Sequence, residues 1–329
     1  MGWKDEFVAV LLSNQQDGFK KALELKRQNL PAKLYRYRPL ITQQQNTRLL
    51  NSIEEKQLYC ASSRALNDPF ESRSLLSSSK AADYFTNAAS FRIALFEQLK
   101  EYFDENEFMQ ALNDKDWVSK TWQLVCDCPS PQQAAQLLDD SIMPQMESVL
   151  DSWNNILGMM KVASFSERMT CLPMWAHYAE NHCGVCLEFD TSELSILGTN
   201  CLFPVNYVDE LPDIVKFIME NFGSQDRLLP NMTFFYCINK LRDWSYESEW
   251  RFLLHPGLHP EMRHFRYREM PQDYLNSGIS INFIKPSKII LGNRVEQSIQ
   301  SELMEVARKQ NIAISKMAIT PYGLKEEQL

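Results

Sequence analysis

Three pairs of residues, each two positions apart, hold the side chains with which this sequence could do chemistry: Arg36 and Arg38 in KLYRYR, Ser164 and Ser166 in KVASFS, and Glu247 and Glu249 in DWSYESEWRFLL. A spacing of two puts both members of a pair on one face of a β-strand, whereas a helix would set them about 200° apart. On a strand, the two guanidinium groups can clamp one phosphate in bidentate fashion. The two carboxylates would then point into the same space. Each pair also has a plainer explanation. The arginines suit an exposed edge strand, a Glu-x-Glu face is usually solvated, Glu249 can pair with Arg251, and Ser-x-Ser is common in strands.

The segments around these pairs must hold them. Residues 161–190, KVASFSERMTCLPMWAHYAENHCGVCLEFD, read as strand, helix and strand. Alternation over 162–166 suits a half-buried strand. Residues 173–181 suit a short helix stopped near Gly184, a residue suited to the left-handed position after a helix. In 185–190, Val185, Leu187 and Phe189 share one side of a strand. Upstream, residues 3–29 have helical spacing (Phe7, Val8, Leu11, Leu12, Phe19, Ala22, Leu23), and Pro31 ends that segment before the strand at 33–38. A helix over 46–57 and a strand over 58–62 follow. Asp68, Pro69 and Glu71 have the signature of a helix start, which leaves Asn67 free to face a site.

From about 81 to 160 the periodicity is almost wholly helical, and its aromatic and Met positions read as core. Beyond the central stretch, 206–209 suits a strand, 211–222 and 233–242 suit helices, and 243–254 switches to period two. Residues 288–292, 295–309 and 312–318 close the chain as strand, helix and strand. The expected architecture is α+β, a mixed β-sheet core interrupted by helices. It divides into an N-terminal helical segment (1–30), a first part of the core (31–78), a helical insertion (79–160) and a second part of the core (161–329).

Composition narrows the function. A chain of 329 residues with 44% apolar and 23% charged residues can bury a sizeable core. A net charge of −8 argues against a broad nucleic-acid surface, because phosphate neutralisation needs clustered Lys and Arg, though it allows a local basic pocket. No run approaches the roughly 20 apolar residues that span a bilayer, so no membrane partner is expected and the expected location is cytoplasmic. The eight cysteines are scattered and expected to be reduced. Cys183 and Cys186, with Cys171, His177 and His182 nearby, invite a zinc site, but no second paired motif completes four ligands, so no metal is expected. Dinucleotide, P-loop, zincin and nucleophile-elbow motifs are all missing.

Two resemblances add to this reading. The string LYRYRP…LYCASSRALNDPFES…SFSE…MWAHYAENHCGVCLEFD…WSYESEWRFLL resembles a widespread prokaryotic family of uncharacterised domains over nearly the whole chain, the helical insertion apart. The order Arg, Ser-x-Ser, Glu-x-Glu is similar to that of the ADP-ribosyltransferase superfamily, and the strand–helix–strand at 33–62 suits the start of that fold. This second resemblance implies that NAD is the substrate, with its nicotinamide–ribose bond cleaved and ADP-ribose passed to an unknown acceptor, in a setting such as stress or phage defence.

By the same resemblance, Arg36 or Arg38 would hold the NAD diphosphate, and Ser164 and Ser166 the nicotinamide ribose. Glu249 would stabilise the oxocarbenium-like transition state, Glu247 would orient or deprotonate the acceptor, and Trp175 or Tyr178 would stack on the nicotinamide. Here Ser164-Phe-Ser166 is followed by the charged Glu167 and Arg168, where the superfamily usually has an aromatic. A non-enzymatic ligand- or partner-binding regulatory protein is the alternative, with Trp175–Tyr178 as core and the charged strands as a recognition face. A nuclease using His177 or His182 with a glutamate is the third.

Overall fold

The computed structural model describes residues 2–13, 17–66, 68, 104–114, 120, 121, 124, 157–212, 234–254 and 276–329. The chain forms two compact units. Residues 1–72, 158–211 and 234–329 make the first, and residues 73–157 and 212–233 the second. In the second unit, helix Glu105–Leu112 buries Phe108, Ala111 and Leu112. Its first turn is capped by Asp104, whose Oδ1 accepts from the amides of Asn106 and Glu107 at 3.1 Å each. The helix expected over 211–222, most of the helical run over 81–160, and Asn67, Pro69 and Glu71 lie outside the described residues.

The first unit is mixed α/β. Its described helices are α1 (Trp3–Leu11), α2 (Gly18–Gln28), α3 (Gln43–Glu54), α5 (Leu172–Tyr178), α6 (Ile196–Cys201) and α7 (Gln297–Gln310), the helix of the second unit being α4. Its described strands are β1 (Lys33–Arg38), β2 (Gln57–Ser62), β3 (Lys161–Ser166), β4 (Val185–Asp190), β5 (Leu202–Pro204), β6 (Asn206–Val208), β7 (Asn239–Leu241), β8 (Glu249–Leu254), β9 (Ile279–Asn282), β10 (Lys288–Leu291), β11 (Ala313–Thr320) and β12 (Gly323–Gln328). Ten of them form one sheet in the order β12-β11-β10-β4-β1-β3-β2-β9, with β8 on β3 and β5 on β8; β6 and β7 pair separately. β10 and β11 run parallel, joined by α7 as a crossover helix, while β1, β3, β4 and β8 are antiparallel to their neighbours.

Strand β3 organises the centre. β8 pairs with all of it, from Lys161↔Leu254 to Ser166↔Glu249. Its other edge is shared: β2 takes Lys161 and Val162, and β1 takes only Ser166, opposite Tyr35. β1 and β2 therefore diverge along β3 and leave a wedge between Val162 and Ser166. Ser164, at the middle of that gap, is the single exposed residue of β3.

Residues directly opposite one another in a sheet share a face, and neighbours along a strand alternate. Tyr35, Tyr37, Ser164, Ser166, Glu249 and Arg251 therefore lie on one face. That face carries a cluster of Tyr37, Met174, Trp175, Cys186, Ile290 and Met317, covered by α5. Leu34, Arg36 and Arg38 lie on the other, with the main core of Phe165, Leu187, Phe189, Trp250, Phe252, Ile289 and Leu291. Helix α3 packs on this second side, against β2 and α7.

Several expected boundaries move for identifiable reasons. Helix α3 begins three residues before the expected start because Thr42 and Gln45 form a capping box, at 3.2 Å in each direction. The helical segment expected over 3–29 contains two helices, α1 and α2. α5 ends at Tyr178 rather than 181, because Glu180, Asn181 and His182 all adopt positive φ. Gly184 is needed for space: a Cβ there would lie 2.2 Å from the Arg38 carbonyl oxygen. The helix expected over 233–242 stops at 238 and gives way to β7. Among the described residues, no helix is long and apolar enough to cross a membrane.

Candidate functional site

The expected strand over 243–254 begins only at Glu249. Before it, Arg242–Glu247 form a 3₁₀ turn, closed by Ser248 in the left-handed region at φ 45° and ψ 53°. Glu247 is thus not on the strand, yet the turn at Ser248 still brings its carboxylate beside that of Glu249. Lys240, on β7, sits between them: its Nζ donates to Glu247 Oε2 at 2.6 Å and to Glu249 Oε2 at 3.1 Å. All three side chains are about 95% or more buried. Three-residue β7 carries too little alternation to show in sequence, where Lys240 falls within the helical spacing of 233–242.

Further partners fix each carboxylate. Arg251 donates from Nε to Glu249 Oε1 at 3.0 Å and from Nη2 to Oε2 at 3.1 Å, and the Ser164 hydroxyl bonds the same carboxylate. The anticipated Glu249–Arg251 pair is therefore present within the site. The Glu249 amide donates to the Tyr207 hydroxyl at 2.8 Å. Tyr178 donates its hydroxyl to Glu247 Oε1 at 2.6 Å. Ser166 is buried and donates to the Glu247 carbonyl oxygen at 2.6 Å, so it positions the turn.

The two acids are driven apart electrostatically. Burial, and then the charge of Glu249, raise the Glu247 carboxyl to about 7 against the pull of Lys240 and Tyr178. Burial also works against ionised Glu249, but Arg251 and Lys240 outweigh it and hold this carboxyl below its ordinary range. One acid is thus held ionised while its neighbour titrates near neutrality, a pattern that separates roles in acid–base sites.

A cleft of about 260 Å³ opens over this cluster along the wedge between β1 and β2. Arg36, Arg38, Ser164, Ser166, Tyr178, Glu247 and Glu249 all line it, together with Lys240, Met174 and Asp68. The arginines reach it from the opposite sheet face. Arg36 Nη2 donates to the Tyr59 carbonyl oxygen at 2.8 Å and so spans the wedge from β1 to β2.

Trp175 requires a correction. It is fully buried, donates from Nε1 to the Met169 carbonyl at 2.7 Å, and stacks on His182, so it has no surface to offer a ligand. His177 and His182 are not among the described residues lining the cleft. Cys186 is buried on β4, where burial pushes its thiol up, and the Cys171 thiol donates to the Tyr246 carbonyl at 3.4 Å. Among the described residues, no three His, Cys, Asp or Glu side chains are grouped to hold a metal.

Residues 174–252 match a family described as proteins of unknown function (DUF2971). That stretch begins within α5 and ends within β8, so it takes in Tyr178, Lys240, Glu247, Glu249 and Arg251. None of the curated proteins and none of the solved structures matches the chain.

Proposed function

We propose that the chain is an ADP-ribosyltransferase-like enzyme that takes NAD as substrate and cleaves its nicotinamide–ribose bond. One observation carries this reading: Arg36, Arg38, Ser164, Glu247 and Glu249, spread over more than 200 positions of sequence, line a single cleft. The cleft is cationic on the β1 side and carboxylate-lined on the β8 side, which suits a ligand with a diphosphate at one end and a reacting ribose at the other.

The chemistry follows from the environments of the two acids. As the bond from ribose C1′ to the nicotinamide nitrogen breaks, its electron pair leaves with nicotinamide and positive charge develops on the ribose. Glu249, kept ionised and oriented by Arg251 and Lys240, is the fixed negative charge that stabilises this state. Ser164, exposed in the gap of β3, is the neutral hydroxyl available to the ribose. Glu247 is able to take the proton of an incoming hydroxyl near neutral pH, because its environment raises its carboxyl toward that range. Tyr178 holds Glu247 and lines the cleft, so it is the aromatic residue that can meet the nicotinamide.

Calorimetric titration with NAD tests the assignment. Saturable binding to the wild type that is lost in Ser164→Trp, which fills the cleft, supports it; binding unchanged by that substitution places NAD elsewhere. A ligand-binding role without chemistry is favoured by a different observation, that both Glu249 oxygens are already engaged by Arg251 and Lys240. In that case NAD would bind and nicotinamide would not be released.

A further inference from the structure

A second cavity, of about 500 Å³, lies on the side of the sheet that α3 covers, and Arg36, Arg38 and Arg48 line it. Asn51 and Ser52 from α3 add polar groups, and Glu55 is the one carboxylate among its described lining residues. Neither Arg36, Arg38 nor Arg48 forms an ion pair with a described residue. Arg36 Nη1 is buried and has no hydrogen-bond partner, although Nη2 is satisfied by Tyr59. The guanidinium also lies over the Phe165 ring, 5.7 Å from its centroid, but native interiors rarely leave a buried charged N–H such as Nη1 without an acceptor. Burial and the neighbouring charge of Arg38 both work against the cationic form of Arg36. In a chain of net charge −8, three guanidinium groups without a described ion-pair partner around one cavity are a local reversal of sign.

We infer that this cavity is a binding site for a phosphate-bearing ligand, with Arg36, Arg38 and Arg48 as its cationic contacts and the Asn51 amide as a neutral donor. Phosphate fits the observations better than a carboxylate because it offers oxygens to three guanidinium groups at once. The site lies across the sheet from Glu249 and stands whether or not the cleft turns over NAD. Arg36 and Arg38 line both cavities, so a phosphate seated under α3 would also reset the cationic side of the cleft.

The test uses inorganic pyrophosphate, titrated calorimetrically into the full chain at fixed ionic strength. Arg48→Ala removes an exposed side chain that lines only the second cavity, so folding should be kept. Glu249→Gln changes only the cleft, and its thermal melt verifies its fold. The expected result is saturable binding by the wild type, weakened about tenfold or more in Arg48→Ala and unchanged in Glu249→Gln. Absence of saturable binding, or binding indifferent to Arg48→Ala, overturns the site. Binding altered only by Glu249→Gln moves the anion to the cleft and overturns it equally.

Discussion

The Tyr178 hydroxyl lies 2.6 Å from Glu247 Oε1 and joins the end of α5 to the 3₁₀ turn before β8, 69 positions later. This bond links the helix that covers one sheet face to the acid that titrates near neutrality. Tyr178→Phe keeps the ring and removes the bond. The variant should lose about 1.5–3 kcal/mol in denaturant unfolding, the range for a hydrogen bond to a charged group. Its Glu247 carboxyl should move further up, because Tyr178 is one of the groups lowering it.

Lys240 is the cation shared by both carboxylates. Replacing it with Met leaves two buried acids side by side and should cost about 3–5 kcal/mol, as for a broken buried ion pair. Adding Glu247→Gln to Lys240→Met should recover part of that loss, and a double-mutant cycle measured by urea unfolding would read the coupling directly. Additive losses would show that the two residues do not share one network.

Stability should depend on pH through Glu247 with a definite sign. Its carboxyl is raised from 4.5 in the unfolded chain to about 7 in the fold, so between those values the native state binds more protons than the unfolded one. The contribution is therefore fully present below about 4.5 and is lost as pH rises through about 7, with a slope of at most about 1.4 kcal/mol per pH unit. Glu249 acts in the opposite direction. Its lowered carboxyl contributes stability above the ordinary carboxylate range, which is lost on acidification. Unfolding free energies of the wild type and Glu247→Gln, compared from pH 4.5 to 7.5, should converge as the pH falls and Glu247 becomes neutral. Parallel curves would refute the assignment.

Gly184 holds the turn after α5 against β1. Gly184→Ala would put a methyl group 2.2 Å from the Arg38 carbonyl oxygen and 3.0 Å from Ala179 backbone atoms. Backbone cannot move aside as a side chain can, so a loss of roughly 1–3 kcal/mol or more is expected. The melting temperature checks it.

The sequence made the paired residues legible because period two is a strong signal where strands are long. β1, β3 and β4 fell close to their expected limits, and Arg36, Arg38, Ser164, Glu247 and Glu249 were legible as candidates. Short or polar elements were not. β7 has three residues, and β12 (GLKEEQ) is an edge strand without an apolar face. The alternation through 243–248 imitated a strand although Ser248 turns the chain, so Glu247 reached Glu249 by a route other than the expected one. Trp175 is buried although sequence offers it as a stacking residue, because an aromatic beside His and Tyr looks the same in sequence whether it lines a site or supports one. Lys240 could have been sought by charge accounting: two carboxylates in the apolar run WSYESEWRFLL require buried cations, and Arg251 alone neutralises only one.

Nicotinamide release from NAD, followed for the purified wild type and for Glu249→Gln, tests the proposed activity most directly. The expected result is release by the wild type that falls by roughly a hundredfold or more in the variant, the scale on which removal of one aligned electrostatic group acts. Equal release by the two proteins, or no release from a wild type that binds NAD in the cleft, would contradict it.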